Sequence, residues 1–233
     1  MVNYTGRVVE LQLEIYKKPG AVIACPPQVA PQAGQYVLAH AVGELNVVLA
    51  QSVFPASLIT IREDQAYFVA AAPIAENWRP GTELALRGPV GRGFTLPRKL
   101  GCLALVALTE TAGRLMPLAQ KALEQGAEVA LFCDLTAPLL PTEIEVLPVN
   151  TLIDSMDWPD FMAIDVNLLD LPSVRSVLGG KTHTRYPVQV LVNTAMPCGS
   201  VGECGVCAVP VRNRKWMLAC KDGPVFDLTV LRL

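Results

Sequence analysis

Apolar and polar residues alternate over 5–16, where Val9, Leu11, Leu13 and Ile15 interleave with Glu10, Gln12 and Glu14. That period predicts a half-buried strand. Further strand-like runs fall at 36–40, 45–50, 57–61, 66–70 and 83–87, separated by turn residues at 31–34, 43–44, 63–64 and 79–81. Short strands at this spacing predict a small antiparallel barrel. Three glycines and a proline make 88–94 a loop. The pattern changes near Lys99. The continuous apolar run 103–108 reads as a strand buried on both faces. Over 114–124, Leu115, Leu118, Ala119, Ala122 and Leu123 share one helical face, and Gly126 is a natural stop. With strands at 128–133 and 161–166 this is a βαβ arrangement with a parallel sheet. The remaining strands are placed at 188–192, 208–212, 215–219 and 226–231, with a turn at Asn213-Arg214. The expected fold is therefore β plus α/β: an antiparallel barrel over 1–98, a parallel α/β unit over 99–180 and a cysteine-bearing piece over 181–233.

The 233 residues are 52% hydrophobic and only 17% charged, with a net charge of −2. A balance this near neutrality argues against a nucleic-acid or acidic-membrane partner. The low charged fraction is what a chain docked on another subunit would show, although a large core gives the same composition. No apolar run approaches the length of a membrane helix, and Arg7 and Glu10 precede any long apolar region, so neither a membrane span nor a signal peptide is expected. The expected location is the cytoplasm, where cysteines serve metals or catalysis before disulfides.

Four of the seven cysteines, Cys198, Cys204, Cys207 and Cys220, crowd into the C-terminal piece with the spacing Cys-x5-Cys-x2-Cys-x12-Cys. Three thiolates on one loop and a fourth from a neighbouring strand suit a [2Fe–2S] cluster. The first gap is one residue longer than in plant-type ferredoxins. Gly199, Gly202 and Gly205 lie between the ligands, where backbone N–H groups must close on sulfur. Structural zinc and buried free thiols are the alternatives. Zinc usually takes two separated Cys-x2-Cys pairs, and only Cys204/Cys207 is such a pair. Cys25, Cys102 and Cys133 read as core residues, as do Trp78 and Trp158. Trp216 is placed to shield the cluster. His40 and His183 read as incidental, and no acid–base or nucleophilic apparatus stands out.

The segment 196–207, Met-Pro-Cys-Gly-Ser-Val-Gly-Glu-Cys-Gly-Val-Cys, followed by Ala219-Cys220-Lys221-Asp222-Gly223-Pro224-Val225-Phe226, resembles the electron-transfer subunit of two-subunit dihydroorotate dehydrogenases, in the ferredoxin reductase superfamily. The order of the three pieces agrees, so the resemblance spans nearly the whole chain. It implies an FAD-binding-type barrel, an NAD-binding-type α/β unit, and a [2Fe–2S] cluster on the four cysteines. It also implies an FMN-containing, dihydroorotate-oxidising partner and a place in pyrimidine biosynthesis. By the same resemblance Pro55 and Ser57, from an Arg-Pro-x-Ser motif, and Gly88, Gly91 and Gly93 occupy FAD-type positions, with Arg92 near them.

The sequence departs from the family where nucleotides would sit. Phe54 stands for the motif's arginine and can neither neutralise nor hydrogen-bond a phosphate. Val69-Ala70-Ala71-Ala72 replaces a Gly-x-Gly-Thr segment. At 109–117 only Gly113 and Pro117 echo the family's Gly-Gly-x-Gly-x-x-Pro, and Glu110 puts an anion where an anion would dock. The expected function is one-electron relay through the cluster to or from a partner redox subunit, with FAD retention open and NAD use not expected. The competing readings are a complete FAD-dependent NAD(P)H reductase arm and a zinc scaffold.

Overall fold

The computed structural model describes residues 3–13, 19–43, 50–135, 140–181, 184–213 and 215–233. The first seven strands are β1 (Tyr4–Leu13), β2 (Pro19–Cys25), β3 (Tyr36–Ala41), β4 (Gln51–Val53), β5 (Thr60–Arg62), β6 (Gln65–Ala70) and β7 (Glu83–Val90). They form one antiparallel sheet in the order β4-β3-β7-β1-β2-β6-β5. The chain leaving β4 turns back onto β6: Ala71 N–H donates to the Phe54 carbonyl at 2.8 Å and Ala56 N–H to that of Val69 at 2.6 Å. This joins the β4 side of the sheet to β6 and closes the expected barrel, with the short β5 left at an edge. Alternation puts Phe68, Leu84 and Leu86 inside with Ile23 and Trp78.

The second sheet has the order β10-β9-β8-β11-β12-β15, from β8 (Cys102–Ala107), β9 (Glu128–Phe132), β10 (Ile144–Leu147), β11 (Phe161–Asn167), β12 (Val188–Asn193) and β15 (Val225–Asp227). All neighbours are parallel except β15, which runs against β12. A 3₁₀ turn at Gly113–Leu115 leads into α1 (Met116–Glu124), which buries Leu118, Ala119 and Ala122 against the sheet and stops at Gly126 with φ +78°. A short helix, α2 (Ser173–Val177), follows β11. The strand order reverses between β8 and β11. In open α/β sheets that crevice is where ligands bind.

Several elements differ from the sequence reading. The strand β2 was not expected; its apolar run has no alternation because Ala21, Ile23, Ala24 and Cys25 are all buried. Strand β7 continues through Gly88, Pro89 and Val90, expected as loop. A register shift opposite Pro89 accommodates a residue with no N–H to give. The run 57–61 is a strand only from Thr60, and 226–231 becomes a 3₁₀ turn at Leu228–Val230. The expected strand 45–50 lies almost wholly outside the described residues, as do His183 and Arg214 of the turn at 213–214. Residues 188–193, read with the C-terminal piece, hydrogen-bond to β11 and belong to the second sheet. The cysteine region is thus anchored on both sides by that sheet, through β12 before it and β15 after it.

Candidate metal centre

Strand β12 delivers the chain to a loop carrying Cys198, Cys204 and Cys207. Cys207 opens the hairpin of β13 (Ala208–Pro210) and β14 (Trp216–Leu218), and Cys220 sits in the single turn α3 (Ala219–Asp222) beyond it. Ala219 N–H donates to the Cys207 carbonyl at 2.9 Å, which brings the two cysteines together. Their sulfurs are 3.4 Å apart and both are buried. Cys198 is half-buried and hydrogen-bonds with Cys204, which is exposed. Among the described residues the thiols stand as these two pairs, and no three His, Cys, Asp or Glu side chains close into one metal-ligating group.

The loop backbone explains the residue types. Gly199, Ser200, Gly202 and Gly205 have φ of +61°, +64°, +83° and +71°. Such conformations turn successive N–H groups to one side and make a concavity for anions. The amides of Gly202, Glu203 and Cys204 all donate to the Cys198 sulfur. The Gly202 amide first, then the Cys204 side chain and the Cys204 and Glu203 amides, pull its thiol down to about 6 against the opposing effect of burial. The Cys220 thiol is instead pushed up to about 12, chiefly by burial and then by Cys207 beside it. Thiolate is the ligating form, so a metal loaded here releases the Cys220 proton. Four sulfurs and an amide cradle fit an iron–sulfur cluster.

The barrel forms one wall of this centre. Gly199 lies against the guanidinium of Arg87 on β7, and Gly202 against the stem of Lys221. Gly91, φ +81°, leaves no room for a Cβ because Gly223-Pro224 packs on it, and Arg92 N–H donates to the Gly223 carbonyl. Gly88 packs on Val37 and Gly93 on the Ala33 carbonyl. These three glycines thus serve close approach of the chain's own backbone, and Gly91 seats the segment that follows Cys220. Pro55 bridges to Ala70, and the Ser57 hydroxyl accepts the Val69 N–H at 2.9 Å. Trp216 is 57% exposed, so its ring gives the cysteines little cover.

A cavity of about 680 Å³ opens beside the cysteine loop, lined by Phe54, Ala71, Ala72, Arg114, Met196 and Val206 among others. It lies between the barrel, the sheet-reversal crevice and the cluster loop. Arg114 is the one charged residue among its described lining, and it is committed elsewhere. Its Nε donates to Asp165 Oδ2 at 2.9 Å, one terminal nitrogen donates to Thr109 Oγ1 at 2.9 Å and the other to the Ala72 carbonyl at 3.4 Å. Asp165 is fully buried on β11, with Oδ1 lacking a hydrogen-bond partner. Burial holds its carboxyl above the usual range, against the pull of Arg114. The guanidinium that faces this cavity is thus engaged by the chain's own groups. Among the described residues no free cation meets a pyrophosphate in this cavity. The sequence reading missed this pair, and its signal was Asp165 inside the apolar run Phe-Met-Ala-Ile-Asp-Val, a charge that a strand buried on both faces cannot hold unpaired.

Solved structures that share this architecture include ferredoxin reductases. The NADH-dependent reduced ferredoxin–NADP oxidoreductase, described in connection with flavin-based electron bifurcation, superposes with a TM-score of 0.68 at 17% identity, covering 97% of this chain and 89% of that one. The ferredoxin reductase of carbazole 1,9a-dioxygenase gives 0.57 at 14%, covering 77% and 65%. The ferredoxin–NADP+ reductase from Plasmodium falciparum gives 0.54 at 10%, covering 82% and 96%. The chain therefore has the ferredoxin-reductase fold. Within it, residues 193–232 match the iron–sulfur cluster binding domain of dihydroorotate dehydrogenase B, and that stretch carries all four clustered cysteines.

Proposed function

We propose that this chain is an electron-transfer subunit holding a [2Fe–2S] cluster on Cys198, Cys204, Cys207 and Cys220. It would relay single electrons to or from a partner oxidoreductase, with an FMN-containing, dihydroorotate dehydrogenase-like subunit the leading candidate. The observation that carries this reading is the convergence of the Gly202, Glu203 and Cys204 amides on the Cys198 sulfur beside the paired Cys207 and Cys220. A bound cluster takes up and gives up one electron with no substrate chemistry of its own. The protein residues supply the rest. Buried Cys207 and Cys220 form the inner side of the site, while exposed Cys204 marks the edge from which an electron can leave. Val201 and Val206 are half exposed on that same loop and give a partner an apolar contact beside that edge. In this reading 1–98 is a barrel wall, 99–180 supplies most of the sheet, and 181–233 adds that sheet's last two strands, β12 and β15, on either side of the redox loop.

The engaged Arg114 and the apolar Phe54, Ala71 and Ala72 support a chain that has given up dinucleotide binding. The expected result is flavin well below one per chain after purification, and no tight binding of added FAD or NADH by calorimetry. One tightly held FAD per chain would favour the other reading, a reductase arm, for which the 680 Å³ cavity beside the cluster loop is the supporting observation. Anaerobic purification with metal analysis tests the central reading. Iron and acid-labile sulfide in equal amounts, with a brown colour, are expected; stoichiometric zinc in a colourless protein would replace it with a scaffold role. Recovery of an untagged flavoprotein partner with the chain tests the relay.

A further inference from the structure

Tyr36 is a barrel residue whose ring is wholly buried, yet its hydroxyl lies 2.7 Å from Ser200 Oγ in the cysteine loop. Either hydroxyl can donate. Ser200 is itself buried, holds φ +64° and stands 3.7 Å from the Met196 sulfur. A non-glycine residue rarely adopts that conformation unless its surroundings enforce it. The tyrosine is the enforcing contact: it is fixed on β3 and tilted against Phe54 with ring centroids 5.4 Å apart. Ser200 lies midway between Cys198 and the amides of Gly202–Cys204 that face its sulfur, so its conformation decides where those donors point. The burial of the Tyr36 hydroxyl is offset by this one contact.

We propose that Tyr36, acting through Ser200, is the positioning residue of the metal centre, and that the barrel thereby sets the cluster's reduction potential. Reduction adds negative charge to the cluster, and N–H donors aimed at its sulfurs favour the reduced form. Freeing Ser200 lets those donors swing away, so the potential falls. This inference rests on the cluster assignment above.

The test uses Tyr36→Phe, which keeps the ring, and Ser200→Gly, which keeps the left-handed backbone without strain. Each removes the same hydrogen bond. Spectroscopically monitored redox titration of the iron-loaded full chain is expected to show both midpoints shifted to lower potential, with the double variant shifted no further than the singles. Release of iron to a chelator is expected to quicken about fivefold, the factor corresponding to one net hydrogen bond. Unchanged midpoints in fully loaded single variants, or a double variant showing the sum of two shifts, would overturn the inference alone. Wild-type protein that holds no iron would instead remove the cluster assignment, and this role with it. A change only in melting temperature, with the midpoint unmoved, would reduce Tyr36 to a packing residue.

Discussion

Serine at position 207 is expected to empty the metal site and loosen the C-terminal region together. The Cys207 sulfur is buried 3.4 Å from that of Cys220, and the Cys207 carbonyl receives the Ala219 amide that starts the turn bearing Cys220. Losing an outer partner of a metal ligand typically costs about 10–100-fold in affinity, and losing a buried ligand costs at least as much. Iron per chain should fall to a small fraction of wild type, with the visible absorbance bleached. Because metal ligation contributes to folding where the site is not preformed, proteolysis within 196–224 should also accelerate. Cys204→Ser separates the two effects. Its side chain is exposed, so the expected result is comparable iron loss with a smaller gain in protease sensitivity. Full iron retention in both variants would show that these cysteines are not ligands.

The barrel, the α/β unit and their order were readable because alternation and continuous apolar runs are local signals. Where packing overrides the local signal the reading failed. Strand β2 is buried along nearly all its length and so shows no alternation. The chain at 88–90 looked like a loop because glycine and proline weaken a strand, yet Gly88 is required for close approach to Val37, and Pro89 lies at a register shift. The crowding of four cysteines into one region was legible from spacing alone; the contact of Cys207 with Cys220 came from the fold. The wall behind them was not legible, because Tyr36 and Ser200 lie 164 residues apart and nothing in either neighbourhood announces the pairing.

Three glycines of the 88–94 segment have two possible reasons to be there. Gly88, Gly91 and Gly93 match positions that a flavin would approach in the family that the sequence resembles. In this chain each is pressed by its own protein, Gly91 most tightly by Gly223-Pro224. A glycine demanded by backbone contact has a reason to be there with or without a ligand, whereas an arginine demanded only by a phosphate has no such second reason. Gly91 against Gly223-Pro224 is of the first kind, so the glycines of this loop are by themselves no sign of a bound flavin.

Arg114→Met is expected to destabilise the protein by about 3–5 kcal/mol, the usual cost of stranding a buried charge by removing its partner. Arg114 is 2% exposed and Asp165 is not exposed at all, so no water replaces the lost guanidinium. The loss should depend on pH with a definite sign. Burial already raises the Asp165 carboxyl, Glu110 adds to the rise, and Arg114 and Thr109 oppose it. Without Arg114 the folded-state value climbs further above that of the unfolded chain. The variant's folded state then binds a proton that the unfolded chain has released. Its stability is therefore fullest at acid pH, below the unfolded value, and falls as pH rises through the folded one. Urea unfolding of Arg114→Met at several pH values should show this decline, steeper than in wild type. Adding Asp165→Asn removes the buried charge and should restore most of the stability while flattening the pH dependence. A single variant as stable as wild type at neutral pH, or a double variant no better than the single, would show that the ion pair does not hold this part of the core together.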